Sequence, residues 1–182
     1  MVIAGLDLSI NGSAVSFSDG KFYYQTTTKK RLFSNEHFSS RLVESFGGKL
    51  DSVKYYLNAV DLVKTVVESG AEEAAIENYA FGKKEDVGYV FSIAEAAGMV
   101  KFGLMQNGIK VFVYSPTEVK KFATESGSAT KVKMVEAHFK AEPDSYIKDL
   151  LKKIGEEERY GSPVNDLCDA YWLMKIHQSY SY

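Results

Sequence analysis

Short runs of apolar residues near the start of the chain predict three antiparallel strands. The first run, residues 2–8, is too short for a helix and is followed by the turn signal Asn11-Gly12. Alternating apolar and polar positions over residues 14–18 and 21–26 flank Asp19-Gly20, a pair typical of hairpin turns. The chain is therefore predicted to begin with an antiparallel meander.

Helices and strands alternate after this meander. An apolar stripe with helical spacing predicts a helix that ends at Gly70, and its positions are Leu50, Val53, Leu57, Val60, Val63 and Val67. The elements predicted next are a strand over 74–79, a helix over 86–106, a strand over 109–114, a helix capped by Ser115, two or three helices over 130–153, and a last helix from about 163 to 177. This order predicts an α/β fold: a mixed five-stranded sheet with helices on both faces. The polar segment 142–162 is predicted to be a surface elaboration, and residues 1–182 are predicted to form a single domain.

Composition excludes several classes of protein. The chain has 182 residues, of which 45% are apolar, and its net charge is only −2, so intrinsic disorder is not expected. The one cysteine, Cys168, cannot form an internal disulfide, which favours a reducing compartment such as the cytoplasm. No apolar run approaches the roughly 20 residues that span a bilayer, and the first residues do not resemble a signal peptide. We therefore expect a soluble intracellular protein with no membrane partner.

Four acidic residues stand out from the patterns around them. Asp7 interrupts an apolar strand, and Glu77 lies near the end of another. Asp166 and Asp169 are three residues apart, so on a helix they share a face. Each acid alone has a structural alternative: Asp7 could accept hydrogen bonds from a turn, and Asp166 could favour the first turn of a helix. Together they predict a carboxylate cluster, because a cation between such acids would offset their repulsion.

The predicted ligand set contains oxygen atoms only, which fits Mg²⁺, with Mn²⁺ as a substitute, rather than zinc. Two such ions about 4 Å apart hydrolyse phosphodiesters, one activating water and one stabilising the leaving oxygen. We therefore expect two ions per active site. His138 and His177 are predicted to be ordinary surface or helix-face histidines. If four acids bind metal, the rest of the chain is slightly basic, so the net charge does not exclude a polyanionic partner.

Five segments resemble, in order, motifs of the RuvC-type Holliday junction resolvases. They are Gly5-Leu6-Asp7-Leu8-Ser9, Ala75-Ile76-Glu77, Ser115-Pro116-Thr117-Glu118-Val119-Lys120, Gly127-Ser128-Ala129-Thr130-Lys131 and Asn165-Asp166-Leu167-Cys168-Asp169-Ala170. The resemblance covers nearly the whole chain except 142–161. The first motif is shared with actin-like kinases and ribonuclease H relatives, whereas the Asp-x-x-Asp-Ala ending on a helix is more specific.

This resemblance implies a ribonuclease H-like fold and a homodimeric, metal-dependent endonuclease that nicks opposing strands of a four-way DNA junction. The catalytic acids of the family fall on Asp7, Glu77, Asp166 and Asp169. Lys131 falls near a basic residue that contacts the scissile region, and is a further catalytic candidate. Tyr79 and Phe81 fall where the family places side chains against unpaired bases, although either could instead be a core residue.

Lysines and small residues along the chain indicate candidate contacts to DNA and to a second copy. The lysines that could bind phosphates are Lys83, Lys84, Lys120, Lys121, Lys131 and Lys133, and the alternative is that such charges are simply solvated. The helix over 86–106 carries the small residues Ala94, Ala96, Ala97 and Gly98. They would let a second copy approach closely, or would equally let this helix pack on its own sheet.

The chain also departs from the bacterial pattern. Ala97 stands where bacterial enzymes usually have an arginine, and 142–162 is longer than its counterpart, which suggests a divergent phage or organellar branch. The expected setting is the cytoplasm, that of the host for a phage protein, with an organelle matrix as the alternative. Two other functions remain open: a ribonuclease H-like nuclease acting on RNA or an RNA–DNA hybrid, and a non-catalytic junction-binding protein. Retention of all four acids disfavours the second, because carboxylates facing a phosphate backbone would weaken binding.

Overall fold

A computed structural model describes residues 1–27, 29, 32–43, 51–78 and 87–181, with the side chains of 51 and 87–89 left out. The strands are β1 (Val2–Asp7), β2 (Ala14–Phe17), β3 (Phe22–Thr26), β4 (Phe38–Leu42), β5 (Ala71–Glu77) and β6 (Lys110–Tyr114). The helices are α1 (Asp51–Glu68), α2 (Val87–Gln106), α3 (Pro116–Thr124), α4 (Lys131–Ala141), α5 (Ile147–Ile154) and α6 (Val164–Tyr180), and a short 3₁₀ helix (Glu156–Glu158) follows α5. None of the helices described is both long and apolar enough to cross a membrane.

The strands form one mixed sheet in the order β4-β3-β2-β1-β5-β6. The pairs β1/β2 and β2/β3 are antiparallel, and the pairs β3/β4, β1/β5 and β5/β6 are parallel. The predicted mixed sheet with antiparallel N-terminal strands is confirmed, but it has six strands rather than five. The missed strand, β4, lies at an edge and buries only Phe38 fully, so its sequence carries little apolar signal.

Helices cover both faces of the sheet, as predicted. On one face α1 and α2 enclose a core that includes Leu6 and Leu62. On the other, α6 lies against β1 and β2, and the core there includes Ala75 and Leu167. The predicted N-terminal cap of α3 is also present, because Ser115 and Glu118 form a capping box.

The segment 142–162 is not the surface elaboration that its composition suggested. It contains α5, whose Ile147, Leu150 and Leu151 are fully buried in the core under α6. These residues follow helical spacing and so form one apolar face, while the charged residues between them face outward. Average composition concealed this face.

The prediction for the two histidines is wrong about exposure, because the helix faces that carry them are buried. The two ring nitrogens of His177 lie 2.9 Å from Glu73 Oε2 and 2.8 Å from Tyr114 Oη. His138 Nε2 lies 2.8 Å from Ser145 Oγ, and burial lowers the pKa of His138 to about 4, so the ring is neutral near pH 7. Internal hydrogen bonds account for both ring nitrogens of His177 and for Nε2 of His138, whereas Nδ1 of His138 is buried with no hydrogen-bond partner among the described residues.

Candidate active site

The parallel pairing of β1 and β5 brings the first two acids to one end of the sheet. Leu6 pairs with Ile76, so the next residue of each strand, Asp7 and Glu77, lies at the carboxyl edge of neighbouring strands. Both acids line a pocket of about 220 Å³ whose other wall includes Ile93 of α2. Carboxyl ends of parallel strands are a common location for functional sites in α/β proteins.

Close packing of α6 on β1 brings in the other two acids. Gly5 permits this packing, since a Cβ atom at that position would lie 2.1 Å from the carbonyl oxygen of Ala170 and 2.4 Å from the amide nitrogen of Met174. No other residue leaves enough room for backbone this close. The first turns of α6, which carry Asp166 and Asp169, therefore lie against the strand that ends at Asp7.

The charges of the other three acids act on Asp7. Burial raises the pKa of Asp7 well above its usual range, and the charges of Asp169, Asp166 and Glu77 raise it further. Burial is also the main cause that raises the pKa of Asp169 to about 7, with Glu77 and Asp166 adding to it. The pKa of Glu77 is raised by burial as well. A cluster of this kind disfavours its own full ionisation and would be stabilised by positive charge.

Two of the predicted lysines supply part of that charge. Lys131, at the start of α4, places Nζ 4.0 Å from Asp166 Oδ1 and lowers the pKa values of Asp7, Asp169 and Glu77. Lys120 of α3 lowers the pKa values of Glu77 and Asp169. The exposed Lys121 and Lys133 lie on the same two helices without a comparable effect on the acids. Tyr79, Phe81, Lys83 and Lys84 lie outside the residues that the structure describes.

Sequence reasoning missed two hydroxyl groups beside Asp166. Ser162 Oγ donates a hydrogen bond of 2.5 Å to Asp166 Oδ2. Tyr24 Oη lies 2.7 Å from Ser162 Oγ and 3.5 Å from the same carboxylate oxygen. Tyr24 belongs to a fully buried strand, so in the sequence it cannot be distinguished from any aromatic residue of the core. A single serine in a loop, such as Ser162, gives no sequence signal of a functional role.

The donor set of this cluster fits a hard divalent cation. Its four side chains offer carboxylate oxygen, the preferred ligand of Mg²⁺ and Mn²⁺, and the desolvated Asp7 is surrounded by like charge that a cation would offset. Among the described residues, however, no three His, Cys, Asp or Glu side chains are close enough together to hold an ion.

Known proteins match both the sequence and the fold. A family model described as crossover junction endodeoxyribonuclease RuvC matches residues 48–142, slightly more than half of the chain. The chain belongs to the RuvC family. RuvC of Treponema denticola is 30% identical over 128 residues, an alignment that covers 68% of this chain and 61% of that protein. The chain thus spans less than two thirds of the length of this curated relative.

Solved structures of RuvC and of two other resolvases share the fold. Thermus thermophilus RuvC in complex with Holliday junction substrate matches with a TM-score of 0.61 at 18% identity, over 100% of this chain and 94% of that one. Fowlpox virus resolvase, solved with Holliday junction DNA, matches with a TM-score of 0.54 at 12% identity, over 100% and 99%. The yeast mitochondrial resolvase Ydc2 gives 0.53 at 14% identity, over 94% and 76%. The predicted ribonuclease H-like α/β fold is therefore confirmed.

Proposed function

We propose that this chain is a metal-dependent crossover junction endodeoxyribonuclease that resolves four-way DNA junctions by paired nicks. The observation that carries the proposal is the geometry of the site: Asp7 and Glu77 lie at adjacent strand ends, and the first turns of α6, which carry Asp166 and Asp169, pack beside them in a chain of the RuvC family. Structural relatives solved with Holliday junction DNA support branched DNA as the substrate. The single buried thiol of Cys168 is consistent with the cytoplasm as the setting.

The four acids would hold two Mg²⁺ ions, or Mn²⁺ in their place. Bound there, the ions would supply an activated water and stabilise the leaving oxygen of the phosphodiester. The four acids are half-buried, so solvent screens their charges only in part and a cation would offset their repulsion. Lys131 and Lys120 limit the repulsion among the acids, and the exposed ammonium of Lys131 lies where it can also meet a phosphate.

Binding of DNA would draw on the same lysines together with those flanking them. We infer that Lys120 and Lys131 contact the phosphate backbone, because their charges act on the acid cluster, and that Lys121 and Lys133, exposed on the same two helices, add further phosphate contacts. From the sequence, Lys83 and Lys84 would add phosphate contacts, and Tyr79 and Phe81 would stack on unpaired bases. Replacing a phosphate-binding lysine with glutamine should lower the salt dependence of junction binding by about one in slope.

The apolar face of α1 and α2 supports a homodimer. A groove of about 680 Å³ between the two helices is lined largely by apolar side chains, and Phe102 and Met105 beside it are 64% and 58% exposed. Exposed apolar surface of this extent is typical of an interface. Ala97, one of the small residues expected at the interface, is instead 2% exposed within its own chain, whereas a Cβ at Gly98 would meet no neighbour.

The dimer is tested by measuring molar mass in solution. The Phe102→Glu variant should be a monomer that retains its fold and loses paired nicking, because it places a charge in the proposed interface. Tyr160→Glu is the matched control, since Tyr160 is also an exposed aromatic residue but lies outside this face. A dimeric Phe102→Glu protein would show that the interface lies elsewhere.

The nuclease proposal is tested with a synthetic four-way junction, a linear duplex and an RNA–DNA hybrid, each with and without Mg²⁺. We expect paired symmetrical nicks on the junction, which are lost in Asp7→Asn while junction binding persists. Asp149→Asn, at an exposed ion pair with Lys152, is the control and should cut normally. Preference for the hybrid would indicate a ribonuclease H-like nuclease, and tight junction binding without cleavage by the wild type would indicate a non-catalytic binding protein.

A further inference from the structure

Asp166 differs from the other three acids in having hydroxyl groups that hold one of its carboxylate oxygens. Ser162 lies four residues before it, in the loop that leads into α6, and Tyr24 reaches it from β3. Tyr24 is almost fully buried, and its hydroxyl has little freedom: a Cβ atom at Gly12 would lie 2.7 Å from Tyr24 Oη. The three groups therefore come from two distant parts of the chain, β3 and the start of α6 with its preceding loop.

The chemistry of the three groups sets the direction of their hydrogen bonds. An ionised carboxylate can only accept, so Ser162 gives its one hydroxyl proton to Asp166 Oδ2 across 2.5 Å. The oxygen of Ser162 then accepts the proton of Tyr24 across 2.7 Å. A hydroxyl bonded to a carboxylate at this distance forms a charge-assisted bond, which is among the stronger hydrogen bonds in proteins.

We propose that Ser162 and Tyr24 are positioning residues that orient the carboxylate of Asp166 for metal binding. With Oδ2 held by the hydroxyls, Oδ1 is turned toward Lys131, whose Nζ lies 4.0 Å away on the side of the acid cluster. Rotation of the carboxylate would break the Ser162 bond, so the bond favours one orientation. This inference rests on the proposed function, since it assigns the two hydroxyls to the ion site of that nuclease.

The test measures ion binding directly as well as cleavage. Mn²⁺ binding to the DNA-free protein is measured by calorimetry. Ser162→Ala should weaken this binding by about 10- to 100-fold, the usual effect of removing the hydrogen-bond partner of a metal ligand. The Mg²⁺ concentration for half-maximal junction nicking should rise by a similar factor, and saturating Mg²⁺ should restore most of the rate. Tyr24→Phe should change both quantities in the same direction but less, and Ser162→Thr, which keeps the hydroxyl, should restore them.

Two control variants remove similar bonds elsewhere. Tyr171→Phe removes a tyrosine hydroxyl that donates to Glu142 across 2.8 Å, and Ser181→Ala removes a serine hydroxyl that lies 3.5 Å from a carboxylate oxygen of Glu73. Both should bind Mn²⁺ as the wild type does.

The proposal is overturned if Ser162→Ala binds Mn²⁺ with unchanged affinity, or if Ser162→Thr fails to restore binding that Ser162→Ala has lost. A purely structural role would lower the melting temperature of Ser162→Ala and Tyr24→Phe without changing their Mn²⁺ affinity, which also overturns it. A wild type that does not nick junctions at all refutes the proposed nuclease instead. A wild type that nicks, beside a Ser162→Ala variant with a normal Mg²⁺ requirement, refutes this inference alone.

Discussion

A substitution at Asp169 tests the acid cluster directly, because the fold holds this carboxylate among like charges at a cost in folding free energy. Burial and the neighbouring acids raise the pKa of Asp169 from 3.8 to about 7. Asp169→Asn keeps the shape of the side chain but removes the charge. This substitution should increase the stability of the metal-free protein at neutral pH, and in the presence of Mg²⁺ it should abolish nicking.

The size of the effect follows from linkage between proton binding and folding. The folded chain binds the Asp169 proton more tightly than the unfolded chain, so stability falls as the pH rises from 3.8 toward about 7 and is then constant. At about 1.4 kcal/mol for each pH unit, the interval from pH 5 to pH 7 contributes about 3 kcal/mol. The advantage of Asp169→Asn over the wild type should therefore be about 3 kcal/mol larger at pH 8 than at pH 5.

Urea unfolding in EDTA at the two pH values, followed by circular dichroism, measures this difference. Mg²⁺ added at pH 8 should then stabilise the wild type more than the variant, because the ion binds the folded site. Asp149→Asn, at a surface ion pair, should change stability by no more than about 0.5 kcal/mol at either pH. Two results would refute the acid cluster: Asp169→Asn is no more stable than the wild type at pH 8, or its advantage over the wild type is the same at pH 5 and pH 8.

Three further predictions test the packing and charge around the site. Gly5→Ala should lower the free energy of unfolding in urea by about 3 kcal/mol or more, because the new Cβ would lie 2.1 Å from a backbone oxygen of α6. A variant as stable as the wild type would contradict the close packing of α6 on β1. Lys131→Met should slow junction nicking and move the acid limb of the pH–rate profile to higher pH, because Lys131 lowers the pKa of Asp7. An acid limb at the wild-type pH would show that Lys131 does not act on the charge of the acids. Leu150→Ala should lower the free energy of unfolding by about 2 to 5 kcal/mol in the same assay. A loss below about 1 kcal/mol would show that Leu150 of α5 is not buried in the core.

Elements with a strong local signal were predicted correctly from the chain. The hairpin at Asp19-Gly20, the capping box at Ser115 and the alternation of helix and strand all depend on residues close together in sequence. The four acids were also recognisable, because a carboxylate in or beside an apolar run contradicts its surroundings.

Features with a weak or averaged signal in the sequence were missed or misjudged. β4 buries one face at the edge of the sheet, and its Ser-Ser-Arg interior resembles a loop. α5 falls within the helices predicted over 130–153, but its burial was not foreseen, because charged residues outnumber apolar ones in the segment 142–162 although its few apolar residues share a face. Gly5 was noticed as part of a motif, but nothing in the sequence indicated that a helix would lie against its backbone.

The sequence by itself determined the order of elements, the fold class and the identity of the four acids, because periodicity and misplaced charge are local properties of the chain. Only the tertiary structure decided that residues 7, 77, 166 and 169 share one environment, and that Tyr24 and Ser162 hold one of them. Residues so far apart along the chain meet through strand register and helix packing. Those contacts depend on the side chains of the whole core, and no local pattern encodes them.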